Sequence, residues 1–160
     1  MKTLLEEIMG LRKLSRTSRK INVVIIDDHP LFRGGLEKAL GMDDDIVVVG
    51  YGETGAEGLQ VVRKMNPDVV LLDVNLPDQN GHQVARQLDS EHPDVAIVML
   101  TAYHDVEQAL YAMRAGASAY CSKDISPEDL VTVIRDVALG LSVVDGKRLD
   151  QNSLEAWVQS

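Results

Sequence analysis

A chain of 160 residues is long enough for one domain that buries roughly two-thirds of its unfolded surface. Its 45% hydrophobic and 26% charged content is that of an ordinary soluble globular protein, and a single cysteine, Cys121, excludes an intramolecular disulfide framework and suits a reducing compartment. From residue 21 onward ten basic side chains face 23 acidic ones, so this acidic body repels nucleic acid and makes no direct contact with it.

Residues 1–20 read as an amphipathic and basic extension. Leu4, Leu5, Ile8, Leu11 and Leu14 give a helical apolar stripe over 3–15, while Arg12, Lys13, Arg16, Arg19 and Lys20 occur without an acid among them. Such a helix packs on the body, frays as an arm, or meets a partner or second copy. Glu6, Glu7 and Gly10 break the apolar core that a signal peptide needs. No apolar run approaches the ~18 residues of a membrane span, so the expected location is the cytoplasm, away from the membrane.

Five apolar, β-branched runs follow: Ile21–Ile26, Ile46–Val49, Val69–Leu72, Val95–Leu100 and Ala119–Cys121. Most are continuous rather than alternating, which predicts strands covered on both faces. Helix-period segments lie between and after them. Phe32, Leu36, Ala39 and Leu40 mark the first, Leu59, Val62 and Met65 the second, and Val84, Ala85 and Leu88 the third. Val106, Ala109, Leu110 and Met113 mark the fourth, and Leu130, Val133, Ile134, Val137 and Leu141 the fifth. Thr54 with Glu57 forms a capping-box pattern, Ser126-Pro127 opens the fifth helix, and Gly116 and Gly140 fall where C-terminal caps belong. The alternation predicts an α/β domain over 21–140, a five-stranded doubly wound parallel sheet with helices on both faces. Residues 141–160 read as a linker or tail with a short helix over Ser153–Gln159 that carries Trp157.

Open parallel sheets bind ligands beyond the carboxyl ends of their strands. The first strand ends in Asp27-Asp28, the second in Gly50, the third in Asp73 and the fourth in Thr101, while Lys123 follows the fifth. Three carboxylates brought to one rim repel one another, so either one keeps a proton or a cation neutralises them. Ligands of oxygen alone favour a hard ion such as Mg²⁺. An ion of that kind beside a lysine suits phosphoryl transfer, and a carboxylate can itself be the nucleophile and form an acyl phosphate.

Val24-Ile25-Ile26-Asp27-Asp28-His29-Pro30, Leu71-Leu72-Asp73-Val74-Asn75-Leu76-Pro77 with Gly81, Met99-Leu100-Thr101-Ala102, and Gly116-Ala117 running to Lys123-Asp124 resemble the response-regulator receiver family of two-component signalling, over residues 21 to about 140. The wording is most similar to its NarL/FixJ-type members. The resemblance implies the flavodoxin-like receiver fold, with Asp73 as phosphoacceptor for a histidine kinase. It implies that Asp27, Asp28, Asp73 and the backbone carbonyl of Asn75 hold Mg²⁺, and that Thr101 and Lys123 contact the phosphoryl group. Thr101 and Tyr120 would form the switch, Asn75 would tune dephosphorylation, and a homodimer would use the fourth helix, fifth strand and fifth helix or the N-terminal helix. Tyr103, two residues beyond Thr101, reads either as a shield that slows dephosphorylation or as a simple surface tyrosine. Members of that subfamily usually carry a C-terminal helix-turn-helix domain, for which 160 residues leave no room. The chain then reads either as the receiver part of a transcription regulator or as a stand-alone receiver acting through protein contacts.

Other patterns compete. Gly50-Tyr51-Gly52-Glu53-Thr54-Gly55 matches the dinucleotide fingerprint, with Asp73 near the ribose-binding position, but Glu53 would set a negative charge where a pyrophosphate belongs. An aspartate-nucleophile hydrolase needs a second acid two residues beyond Asp73, where Asn75 cannot titrate, so slow self-dephosphorylation rather than enzymatic turnover is expected. Asp43-Asp44-Asp45 lacks the alternating spacing of a calcium loop and reads as a solvated turn. His29, His82, His92 and His104 do not pair at metal spacing, His29 reads as a loop residue beside the acidic site, and Cys121 reads as a packed thiol.

Overall fold

The structure, a computed structural model, describes residues 19–103, 105–144 and 146–159 together with Leu4. The expected helix over 3–15 lies outside the described residues except for Leu4.

The elements run β1 (Ile21–Ile26), α1 (Pro30–Leu40), β2 (Ile46–Gly52), α2 (Gly55–Met65), β3 (Val69–Asp73), α3 (Gly81–Glu91), β4 (Ala96–Thr101), α4 (Val106–Arg114), β5 (Ala119–Ser122), α5 (Pro127–Ala138), β6 (Ser142–Val144), β7 (Lys147–Leu149) and α6 (Gln151–Gln159). The sheet order is β2-β1-β3-β4-β5-β6-β7, so the chain reverses its direction of winding between β1 and β3. Strands β1 to β6 pair in parallel and β7 closes the edge antiparallel to β6.

The predicted five-stranded sheet is therefore a seven-stranded one. Its two extra strands are three residues each, too short to leave a periodic signature. The second strand continues past the expected Gly50 to Gly52, and the fourth begins at Ala96.

Period-two alternation along the central strands divides the core. Val24, Ile26, Val70 and Leu72 face Leu59 and Val62 of α2, Val84 and Leu88 of α3, and Ala109 and Met113 of α4. Val23, Ile25, Val69 and Leu71 face Leu36 and Leu40 of α1 and Leu130, Ile134 and Val137 of α5. Each fully buried Leu or Ile among them contributes about 2 kcal/mol over leaving it in water.

Caps fall where the residues place them. Thr54 accepts from the Glu57 amide at 3.0 Å and Ser126 from the Asp129 amide at 3.2 Å. Gly116 and Gly140 take φ of +104° and +91°, conformations that L side chains rarely adopt. Within the stretch 141–160, read as a linker or tail, Leu149 and, on α6, Leu154, Trp157 and Val158 pack against the α2–α4 side of the core. Val106, expected on the buried face of the fourth helix, is 65% exposed at that helix's first position.

Candidate phosphoryl and cation site

The winding reversal sets β1 beside β3, so the residues that end those strands meet at one rim. Asp27 and Asp73 are almost fully buried, at 1% and 3% exposure, and Asp28 is half-buried. Oxygens of Asp27, Asp28 and Asp73 lie with a ring nitrogen of His29 within 4.8 Å of one another.

Lys123 reaches this cluster because its amide donates to the Thr101 carbonyl at 2.8 Å, extending the β4–β5 ladder by one residue. Its Nζ lies 2.9 Å from Asp27 Oδ2 and 3.3 Å from Asp73 Oδ2, and 4.5 Å from the centroid of the Phe32 ring. Asp27 Oδ1 accepts from the His29 amide at 2.8 Å, with His29 Nδ1 at 2.9 Å. Asp27 is thus satisfied at both oxygens by its own chain.

Asp28 and Asp73 are not. Asp28 Oδ1 and Asp73 Oδ2 are buried and have no hydrogen-bond partner among the described residues. Burial, and next the charge of Asp27, raise the Asp73 carboxyl above the ordinary carboxylate value, while Lys123 and the Asn75 amide pull it partly back. Buried anions left short of donors and crowded by like charge are what a divalent cation relieves, so the donor set fits a hard ion. Asn75, expected as a backbone ligand, begins an exposed turn whose amide donates to Asp73 Oδ1 at 3.2 Å. Gly81 packs that turn tightly, since a Cβ there would lie 2.5 Å from the Asp73 carbonyl oxygen.

Thr101 is buried beside the cluster, but its hydroxyl turns to its own loop. It donates to the Tyr103 carbonyl and accepts from the Tyr103 amide, both at 3.1 Å. Tyr120 is buried at the next strand, and its hydroxyl donates to the same carbonyl at 3.3 Å. The Tyr103 side chain is 80% exposed.

The dinucleotide pattern resolves into packing. A Cβ at Gly50 would meet Val61 at 2.8 Å, one at Gly52 the Gly58 backbone at 2.6 Å, and one at Gly55 the Gln79 side chain at 2.5 Å. The helix amides where an anion would bind are taken by Asp78, whose oxygens accept from Gly55 at 2.7 Å and Ala56 at 3.1 Å. Those contacts hold the Asp78 carboxyl below the usual carboxylate range. Asp43 and Asp45 pair with Arg135 of α5 and mark a pinned turn. Burial pushes the Cys121 thiol up to about 12, so it is a packed group with no thiolate at neutral pH.

Sequence reasoning missed the aim of His29 into the cluster. It also missed Arg33, which donates to the Asp27 carbonyl at 3.2 Å and covers the Tyr51 ring at 4.2 Å.

Residues 23–135 match the family described as the response regulator receiver domain. The chain is 38% identical over 128 residues to the transcriptional regulatory protein DegU of Brevibacillus brevis, covering 80% of this chain and 54% of that protein. It is 41% identical over 127 residues to the DNA-binding transcriptional activator DevR/DosR of Mycobacterium tuberculosis, covering 79% and 58%. Among solved structures it is similar to a signal receiver domain from Mycobacterium tuberculosis, with a TM-score of 0.73 and 34% identity over 76% of this chain and 98% of that one. The chain spans about half the length of the curated relatives it matches. Among the described residues no helix is long and apolar enough to cross a membrane.

Proposed function

The chain belongs to the response regulator receiver domain family, and on that premise we propose that Asp73 accepts a phosphoryl group from the phosphohistidine of a histidine kinase. The observation that carries this reading is Asp73 Oδ2. It is buried at the strand ends among two further carboxylates, with the Lys123 ammonium 3.3 Å away as its counter-charge. An Asp73 oxygen attacks phosphorus, the phosphorus–nitrogen bond of the donor breaks, and its electron pair stays on the imidazole. Asp27, Asp28, Asp73 and the Asn75 carbonyl would hold Mg²⁺, which when bound neutralises charge on the phosphoryl oxygens. Lys123 supplies a counter-charge from the chain itself.

The new dianionic group then competes for the Thr101 hydroxyl. Thr101 and Tyr120 share the Tyr103 carbonyl, so withdrawing one donor alters the loop that leads into α4. This supports a switch that repacks the α4–β5–α5 surface and biases homodimer formation or contact with a partner. Asn75, whose amide donates to Asp73 Oδ1, and the exposed Tyr103 would tune loss of the phosphoryl group, with turnover of free substrate not expected.

The relatives' names support transcription regulation as the output of a longer protein, through a DNA-binding domain outside this chain. A stand-alone receiver is the second reading, and the net acidic body favours protein contacts over DNA for this part in either case.

Intact-mass measurement after incubation with acetyl phosphate and Mg²⁺ tests the proposal. Wild type gains one phosphoryl group and Asp73→Asn gains none. Sustained acetyl phosphate consumption without an adduct would instead indicate a hydrolase.

A further inference from the structure

His29 occupies an N-cap position, at the start of α1 before Pro30. An N-cap side chain ordinarily accepts a hydrogen bond from an amide of the first turn. The His29 side chain makes no such bond. Its ring is turned instead toward the carboxylates, with Nδ1 2.9 Å from Asp27 Oδ1, 3.3 Å from Asp28 Oδ1 and 3.5 Å from Asp73 Oδ2. One nitrogen therefore stands in the space that three acidic side chains enclose. The rest of the ring opens to solvent, the side chain being 59% exposed, so the imidazole can swing out without unpacking the core.

We propose that His29 sets which divalent ion the acidic cluster takes: a hard, oxygen-seeking ion such as Mg²⁺ has to displace the imidazole, whereas a borderline ion such as Co²⁺ keeps it as a nitrogen ligand. The inference rests on the reading of Asp27, Asp28 and Asp73 as a cation site. Mg²⁺ prefers carboxylate, carbonyl and water oxygens and gains little from imidazole, while later first-row ions bind imidazole well. Nδ1 lies 2.9 Å from Asp27 Oδ1 and 3.3 Å from Lys123 Nζ, and either ion ends those contacts; a hard ion gives the ring nothing in return, whereas a borderline ion replaces them with a bond to Nδ1. His29 is thus a specificity-determining residue for the cation.

The test is calorimetric titration of the metal-stripped chain with Mg²⁺ and, separately, with Co²⁺, for wild type, His29→Ala and Asp28→Asn. Removing the imidazole is expected to tighten Mg²⁺ and weaken Co²⁺, each on the order of tenfold. The opposite signs separate this outcome from general damage to the fold, which weakens both. Asp28→Asn is expected to weaken both ions. If it does so while His29→Ala moves both ions the same way, or neither, the role of His29 is overturned and the cation site stands. If wild type binds neither ion, the site reading fails and the inference with it. A nitrogen-sensitive Co²⁺ absorption spectrum that is identical in wild type and His29→Ala would also overturn the inference.

Discussion

The Tyr120 hydroxyl donates to the main-chain carbonyl of Tyr103 at 3.3 Å, which ties the fifth strand to the loop after the fourth. Thr101 donates to the same oxygen, so the two side chains proposed as the switch are joined through one backbone atom. Tyr120→Phe keeps the ring's volume and deletes one donor, leaving the carbonyl with Thr101. The expected loss in urea denaturation is about 0.5–1.5 kcal/mol, with phosphoryl uptake on Asp73 unchanged. Hydrogen exchange on α4 should then differ less between the unmodified and phosphorylated variant than it does for wild type. A Tyr120→Phe protein that takes up no phosphoryl group would show that Tyr120 belongs to the acceptor site rather than to the readout.

The surroundings of Asp73 work against its ionised form, burial first and the charge of Asp27 next. Its folded-state carboxyl is raised above the ordinary 3.8 by burial and by Asp27. Between 3.8 and that raised value the folded chain binds more protons than the unfolded one, so stability falls as pH rises through the window. Above it the penalty is fully present. Asp73→Asn removes the charge, can keep an acceptor for the Asn75 amide and leaves Lys123 paired with Asp27. Without divalent ions the variant should be more stable at pH 7 by on the order of 1 kcal/mol, a Tm rise of about 2–4 °C for a chain this size. The gap should close as pH falls toward 3.8. Thermal melts across that range check both sign and window, and a variant less stable than wild type at neutral pH would refute the account.

What the residues reveal in advance follows from how local the causes are. Asp27, Asp28, Asp73 and Lys123 are legible because strand ends are set by continuous apolar runs, and in a parallel sheet all those ends share one rim. The caps at Thr54 and Ser126 are legible because the bond spans only three residues. Asp78 is not, since it caps α2 from 23 residues downstream, and no spacing rule joins the two. The link between Thr101 and Tyr120 runs through a carbonyl that every residue possesses. For His29 a signal did exist: a residue with a cap's position but a poor cap's side chain, one step after two acids.

Two glycines with opposite surroundings test the packing account. Gly52 on β2 has no space for a methyl group, because the Gly58 backbone would lie 2.6 Å away and backbone cannot move aside as a side chain can. Gly52→Ala should therefore cost about 1–3 kcal/mol, by separating β2 from α2. Gly34 on α1 lies in a helix interior, and a Cβ added there would meet nothing within 4 Å, so Gly34→Ala should stabilise by about 0.5–1 kcal/mol. Equal effects of the two substitutions in chemical denaturation would contradict the close β2–α2 contact.

His82 gives the fold a pH dependence of its own. It is buried at the start of α3, and neither ring nitrogen has a hydrogen-bond partner among the described residues. Burial, and next the charge of Arg86, hold its pKa below the ordinary 6.5. The unfolded chain then takes up a proton at 6.5 that the folded chain refuses until lower pH, so stability is full above 6.5 and is lost as pH falls toward the depressed value. The direction is the reverse of the Asp73 contribution, whose window opens upward from 3.8 while that of His82 opens downward from 6.5. His82→Leu removes the titration and the unpaired nitrogens while filling much of the same space. It should be neutral or stabilising by up to about 1 kcal/mol at pH 7, and its advantage should grow as pH drops below 6.5. Urea denaturation of wild type and variant on both sides of that value measures the difference, and parallel pH profiles would show that His82 is protonated as easily folded as unfolded.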